Sequence, residues 1–179
     1  MHFSQHPQIW AVLCDMETGD SAREILKKSM ELKCKATLAY TFFLFRSFEK
    51  TDMYYMVNEC MVDFRNLIEL GCTTTPERMG EDVRSECHAW SAVAIYEFTA
   101  KVLGVTFENG GIYIKPYIKD RSRAKGEVAT PCGMVFCEWK KENDKFTISI
   151  KLPENRKTIL TMPDGSVFEA ESGKYSCDL

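Results

Sequence analysis

Up to Gly104 the hydrophobic positions recur every three or four residues, which predicts a succession of amphipathic helices. The periodic segments are residues 21–32, 37–50, 53–68 and 85–104. Ser21 followed by Glu24 predicts a capping box at the first of these helices. Asp52 predicts an N-cap for the third, and Gly104 predicts the end of the last. Segment 37–50 has apolar residues on nearly every side, so its helix is expected to lie between two layers or against a larger partner.

From Val105 onward hydrophobic and polar residues alternate, which predicts β-strands. The clearest runs are residues 111–118, 134–140 and 146–152. Asp164-Gly165 predicts a two-residue hairpin between residues 158–162 and 166–170. The fold class is therefore predicted to be α+β, with helices in residues 1–104 and a small antiparallel β-sandwich in residues 105–179.

The composition excludes several classes of protein. Of the 179 residues, 45% are hydrophobic and 27% are charged, which is typical of a folded globular chain. The net charge of −3 argues against a nucleic-acid partner, and no apolar run is long enough to span a membrane. Residues 1–10 have no signal-peptide pattern, although a longer parent protein leaves an upstream signal open.

The eight cysteines contain no CxxC pair, so neither a metal site nor a cofactor is predicted. Several of them stand in apolar periodic segments, where a free thiol usually behaves as a small buried hydrophobe. Free cysteines favour a reducing compartment such as the cytoplasm. The localisation of the parent protein is otherwise left unassigned.

Residues 71–90 form the candidate functional loop. Glu77 follows three threonines and Pro76, and His88 begins a His-Ala-Trp triplet. A carboxylate can activate water, and an imidazole can donate a hydrogen bond to one hydroxyl and accept one from another. We therefore predict that Glu77 is catalytic and that His88 binds a polar ligand such as a sugar. A solvated or capping Glu77, and a structural His88, remain alternatives.

Three neighbours of these residues receive structural interpretations. The helical spacing of Trp90 with Val93 favours a core position over stacking on a sugar. Cys87 and His88 are adjacent on the chain and would point about 100° apart on a helix, which argues against a thiol nucleophile. Arg78 and Arg84 are expected to pair with solvated acidic residues of the neighbouring helices and of the loop.

The chain resembles the C-terminal part of bacterial α-L-rhamnosidases of glycoside hydrolase family 78. The resemblance lies in residues 4–13, 71–77 and 84–92, in the stretch from Gly111 onward and in residues 126–133, so it covers nearly the whole chain. It implies that residues 1–104 are the last helices of an α/α barrel of the six-hairpin type, which forms the catalytic domain. It also implies that residues 105–179 are a C-terminal antiparallel β-sandwich domain.

In function, the resemblance implies a parent enzyme that removes terminal α-L-rhamnose from glycosides with inversion. Glu77 matches the general base and His88 matches a residue that binds sugar hydroxyls, while the general acid lies upstream. The expected partners are a rhamnose-containing glycoside and the upstream barrel of the same protein. The fragment alone is expected to be inactive, and its exposed barrel surface favours self-association.

The chain departs from the family pattern in the loop itself. Many relatives carry an aromatic residue immediately before the base, where this chain has Pro76, and their loop is often longer. A related α-glycoside therefore remains an alternative substrate.

Two other functions remain open. The sandwich could be a noncatalytic module that binds carbohydrate or supports a neighbouring domain. Its candidate sugar-stacking aromatics are Tyr113, Tyr117, Trp139 and Tyr175. A helical protein that binds a partner through segment 37–50 is the third alternative.

Overall fold

The computed structural model describes residues 3–179, which form two compact units that divide between Ala94 and Ile95. Helices build the first unit, and two β-sheets build most of the second. The predicted α+β class is therefore confirmed. The domain boundary at Gly104 concerns the longer protein and stays a prediction.

Four helices form the first unit: α1 (Gln5–Leu13), α2 (Gly19–Ser29), α3 (Thr41–Lys50) and α4 (Val57–Glu69), with a 3₁₀ turn at Tyr54–Met56 before α4. Their apolar faces meet in a common core. Its fully buried side chains include Ile9, Leu26, Leu44, Phe45, Phe48 and Met53. No helix within residues 3–179 is long and apolar enough to cross a membrane.

Both predicted helix caps in this unit are wrong. Helix α2 begins two residues before Ser21, with Thr18 as its N-cap, and the Ser21 hydroxyl donates to the Glu17 carboxylate instead. Asp52 has a left-handed backbone, with φ of 60°, and the chain then makes a 3₁₀ turn before α4 begins. The two signals fail for different reasons: α2 begins earlier than the capping signal indicates, so Ser21 lies inside it, whereas a 3₁₀ turn takes the residues that the apolar pattern assigns to the start of α4.

On helix α4 only one narrow stripe of the apolar residues is buried. Val57, Met61, Phe64 and Leu67 are buried and follow one another at three- and four-residue spacing. Ile68, the last residue of the apolar periodic segment 53–68, is 77% exposed. The stripe is therefore narrower than the sequence suggests.

The predicted helix over residues 85–104 is the largest error. The chain forms a 3₁₀ turn (Ala89–Ser91), a single helical turn α5 (Val93–Tyr96) and a π-helical segment (Glu97–Leu103). Val93 and Val102 are buried, but Trp90, which was expected in the core, is 80% exposed, and Ile95 and Phe98 are 69% and 48% exposed. A change of helical pitch rotates side chains away from the face that a regular 3.6-residue period predicts.

Gly104 ends this segment, as predicted, for two reasons. Its φ of 87° lies in the left-handed region that glycine adopts without strain. A Cβ atom at this position would lie 2.3 Å from the carbonyl oxygen of Lys115. The Lys115 amide in turn donates to the Gly104 carbonyl at 2.8 Å. This close approach of two backbones excludes any side chain.

Eight strands follow: β1 (Val105–Glu108), β2 (Gly111–Ile114), β3 (Arg123–Thr130), β4 (Gly133–Glu142), β5 (Lys145–Lys151), β6 (Thr158–Thr161), β7 (Val167–Glu169) and β8 (Gly173–Asp178). They form two four-stranded sheets, in the orders β1-β2-β6-β7 and β3-β4-β5-β8. The runs 134–140 and 146–152 pair as the hairpin β4–β5. The predicted hairpin β6–β7 is also present and turns around Asp164-Gly165, but five residues, 162–166, separate its strands instead of the predicted two.

The predicted antiparallel arrangement needs one correction, since β2 and β6 run parallel. Parallel neighbours cannot be joined by a hairpin and need a long connection. Here the connection from β2 to β6 includes three strands of the other sheet, so short-range turn signals could not indicate it.

Trp139 is the largest fully buried side chain of the chain. It lies in the core shared by both sheets, and its ring centroid is 6.0 Å from that of Phe146. Trp139 therefore cannot stack on a sugar, and half-buried Tyr175 also packs against this core. Tyr113 is the most exposed of the four candidate aromatic side chains, at 37%.

We expect Trp139→Ala to lower the free energy of unfolding by about 3–5 kcal/mol, because it removes a large side chain from a closed core. The matched control is Trp90→Ala, whose effect should stay within about 0.5 kcal/mol since the indole is largely exposed. Urea unfolding of the chain, followed by circular dichroism, measures both. Equal effects of the two substitutions would contradict the assigned core.

Candidate functional site

The candidate loop between α4 and the 3₁₀ turn at Ala89–Ser91 is held together by its own backbone. The Glu77 amide donates to the Ser85 carbonyl at 2.9 Å, and the His88 amide donates to the Thr75 carbonyl at 2.8 Å. The Thr74 hydroxyl adds a bond of 2.7 Å to the Glu86 carbonyl. Residues 74–77 and 85–88 therefore lie side by side as two arms of one loop.

Glu77 is fixed at its backbone and at its side chain. Besides its amide bond to Ser85, its carbonyl accepts a hydrogen bond of 3.1 Å from the Leu38 amide, just before α3. Its side chain is 16% exposed, and one carboxylate oxygen lies 3.1 Å from a guanidinium nitrogen of Arg84. The carboxylate is therefore oriented and mostly enclosed, yet water can still reach it.

The expected pairing of Arg84 with a solvated acidic residue is wrong, because Arg84 pairs with the mostly enclosed carboxylate of Glu77. Arg84 adopts a positive φ of 56°, which is uncommon outside glycine and asparagine. Its amide donates at 3.3 Å to Asp82, which also pairs with Arg78. Arg78 thus forms an ion pair with Asp82, a solvated acidic residue of the loop, as predicted. Arg84 instead pairs with the candidate catalytic carboxylate.

His88 stands at the base of the second arm and is half-buried. Its carbonyl accepts a hydrogen bond of 2.9 Å from the Ser91 amide, which starts the 3₁₀ turn. Its ring lies edge-on to the Trp90 indole, with a centroid separation of 6.0 Å. Backbone hydrogen bonds keep this arm in place, so the imidazole is not needed for that purpose and can bind a ligand.

Trp90 is the aromatic residue that sequence reasoning placed wrongly, as a core residue. The indole is 80% exposed and lies beside His88. The prediction relied on a regular helix through residues 85–104, and that helix is absent here. The residue type, at two positions from a candidate sugar-binding histidine, was the signal that could have found it.

A groove of about 410 Å³ opens beside the first arm. It is lined by the end of α4 and by the loop, including Leu67, Leu70, Pro76, Met79 and Val83. Glu77 and His88 are not among its lining residues. The groove and the two candidate side chains thus belong to the same loop but to different parts of its surface.

The eight cysteines, all within the described residues, are free thiols. The expectation of buried thiols holds for Cys137, whereas Cys14, Cys34, Cys72 and Cys87 are exposed. Burial raises the pKa of Cys137 to about 12. Among residues 3–179 there is no group of three or more His, Cys, Asp or Glu side chains that could hold a metal ion.

Comparison with known proteins finds similarity to one group of enzymes, the α-L-rhamnosidases. Residues 110–176 match the family model described as the bacterial alpha-L-rhamnosidase C-terminal domain. This match confirms the resemblance to the C-terminal part of an α-L-rhamnosidase. No curated protein sequence matches the chain.

Three solved structures share the fold. The α-L-rhamnosidase of Aspergillus terreus is 19% identical with a TM-score of 0.69, and the match covers 97% of this chain and 24% of that one. The enzyme of Dictyoglumus thermophilum is 20% identical with a TM-score of 0.66, covering 97% and 25%.

The third is the Streptomyces avermitilis enzyme, whose structure contains L-rhamnose; it is 16% identical with a TM-score of 0.64, covering 97% and 21%. One of the three relatives is fungal, so the fold is not confined to bacteria. The chain spans about a quarter of the length of these enzymes.

We expect iodoacetamide at pH 8 to alkylate Cys87 rapidly and to leave Cys137 unmodified. With a pKa of about 12, only about one Cys137 thiol in 10⁴ is a thiolate at this pH, and the reagent cannot reach it in the sheet core. Peptide mapping by mass spectrometry measures both sites. In urea both thiols should react, and equal rates in the native chain would contradict the assigned burial of Cys137.

Proposed function

We propose that this chain is the C-terminal part of an inverting glycoside hydrolase that removes terminal α-L-rhamnose from glycosides. In this proposal Glu77 is the general base and His88 binds sugar hydroxyls. The proposal is supported by the match of residues 110–176 and by the fold shared with three α-L-rhamnosidases. The roles of Glu77 and His88 go beyond what these similarities show.

The observation that carries the proposal is the setting of the Glu77 carboxylate. A general base must be ionised, oriented and within reach of one water molecule. Glu77 meets the last two requirements, because its main chain is bonded on both sides and its side chain is 16% exposed. Its contact with Arg84 at 3.1 Å supplies a nearby positive charge.

Inversion requires a second carboxyl group to protonate the leaving oxygen, about 6.5–9.5 Å from the base. The space between the two groups holds the sugar and the attacking water. We assign the general acid to the longer protein upstream of this chain, together with most of the sugar pocket. The chain alone is then inactive.

The helical unit fits the same proposal. We assign residues 1–104 to the last helices of an α/α barrel and residues 105–179 to a C-terminal β-sandwich domain. Several apolar side chains at the end of α4 and beyond are exposed, including Ile68 at 77% and Leu70 at 73%. Upstream helices of the longer protein would cover such positions.

Glu77→Gln in the longer protein should lower kcat on an aryl α-L-rhamnoside by about 10²–10⁴-fold, because the amide cannot accept the proton of water. The substitution keeps the size and the hydrogen-bonding geometry of the side chain. Release of the coloured aglycone measures turnover.

The matched control is Glu81→Gln, which removes an exposed carboxylate from the same loop and should leave kcat within about twofold. The 179-residue chain by itself serves as a second control and should show no turnover. Near-normal activity of Glu77→Gln would refute the base assignment. Retention of the anomeric configuration in the first-formed sugar, followed by NMR, would refute the inverting mechanism.

His88→Ala should lower kcat/KM by about 10- to 100-fold, mainly through a higher KM, because a buried hydrogen bond to the sugar is lost. The melting temperature should stay unchanged, since the backbone of His88 makes the bonds that hold the loop arm. His88→Gln, which keeps one donor and one acceptor, should recover part of the affinity. An unchanged KM in His88→Ala would exclude contact with the substrate.

A further inference from the structure

The sheet β3-β4-β5-β8 has one face in the core and one face in water. Val135, Cys137 and Trp139 of β4 are buried, so the residues between them point outward. The outward face carries six exposed cations, Arg123, Lys125, Lys140, Lys145, Lys151 and Lys174. We call this surface the lysine face.

The strand register places hydroxyl groups between these cations. One row across the sheet is Arg123, Lys140, Thr147 and Ser176. The next row is Lys125, Glu138, Ser149 and Lys174. The hydroxyl groups of β5 and β8 therefore lie beside cations on β3, β4 and β8.

A groove of about 480 Å³ runs over this part of the sheet. Its lining includes Lys140, Lys174 and the hydroxyl residues Thr147, Ser149 and Ser176. Within the register, Lys140 lies opposite Arg123 and Thr147, and Lys174 lies opposite Ser149. Neither lysine has a carboxylate directly across from it, so both ammonium groups are available to an anion in the groove.

Other cations of the face are held in place. The ammonium groups of Lys125 and Lys151 lie 5.5 and 5.7 Å from the centroid of the Phe136 ring. Lys125 also lies 3.8 Å from the Glu138 carboxylate, which stands in the middle of the face. Glu138 is thus the anionic group that a bound anion would have to approach.

We propose that the lysine face binds a carboxylate-bearing polysaccharide, of the kind that contains uronic acid residues. Lysines suit separated carboxylates, and serine and threonine hydroxyls suit the sugar hydroxyls between them. Four carboxylates also point outward on this face, at Glu127, Glu138, Glu142 and Asp178. Duplex DNA, with a charge about every 1.7 Å, requires denser positive charge than this mixed pattern supplies.

The choice of a saccharide over an acidic peptide rests on the proposed function. The binding itself does not depend on Glu77 or on turnover. It can be measured on the 179-residue chain, so its failure and the failure of the catalytic proposal are distinguishable.

The experiment titrates the chain with polygalacturonate at low ionic strength and follows binding by calorimetry. Dextran, a neutral polysaccharide, serves as the matched probe, and polyglutamate tests the saccharide requirement. We expect saturable binding of polygalacturonate that weakens as salt is added, no binding of dextran, and weaker binding of polyglutamate.

The double variant Lys140→Gln/Lys174→Gln should weaken binding about fivefold or more, because two ion contacts are lost. The control variant Lys27→Gln/Lys157→Gln removes the same charge from exposed positions outside this sheet and should leave binding unchanged. Glu138→Gln should tighten binding about two- to fivefold, since it removes a repulsive charge from the centre of the face.

Absence of polygalacturonate binding would overturn the proposal, as would equal losses in the two double variants. Polyglutamate binding as tight as that of polygalacturonate would overturn the choice of a saccharide. Glu138→Gln tests the lysine face independently of the lysine variants. It is expected to tighten binding, and damage to the fold would not produce that result.

Discussion

The backbone hydrogen bonds between residues 74–77 and 85–88 determine where the candidate site lies. Irregular segments satisfy their amides and carbonyls with difficulty, and this loop does so by pairing its own arms. The pairing brings the arm that carries Glu77 next to the arm that carries His88. A catalytic role for the loop therefore depends on main-chain contacts that no single side chain provides.

The sheet unit could be predicted well because each of its signals has a direct physical cause. A period of two is forced by the pleat, and Asp164-Gly165 marks the position of the turn between β6 and β7, although not its length. Gly104 could be predicted as a stop because few residues adopt its left-handed backbone. The parallel pairing of β2 with β6 could not be predicted, because it joins strands that are distant in sequence.

The loop could be recognised from its residue types, whereas its contacts could not be predicted, and the roles of Glu77 and His88 stay predictions. Glu77 and His88 draw attention because a carboxylate can activate water and an imidazole can bind hydroxyl groups. The ion pair of Arg84 with Glu77 depends on a positive φ at Arg84, which no pattern in the sequence indicates. Trp90 was misplaced for a related reason, since the helical period fails where the chain changes pitch.

The outer face of the β3-β4-β5-β8 sheet is informative because the fold does not dictate it. Cations on β3 and β8 have a structural reason, since charged residues on edge strands prevent pairing with another chain. That reason does not extend to β4 and β5, which have strands on both sides. Lys151 packs over the Phe136 ring, whereas the proposed contact with an anion would account for Lys140 and Lys145 on these inner strands.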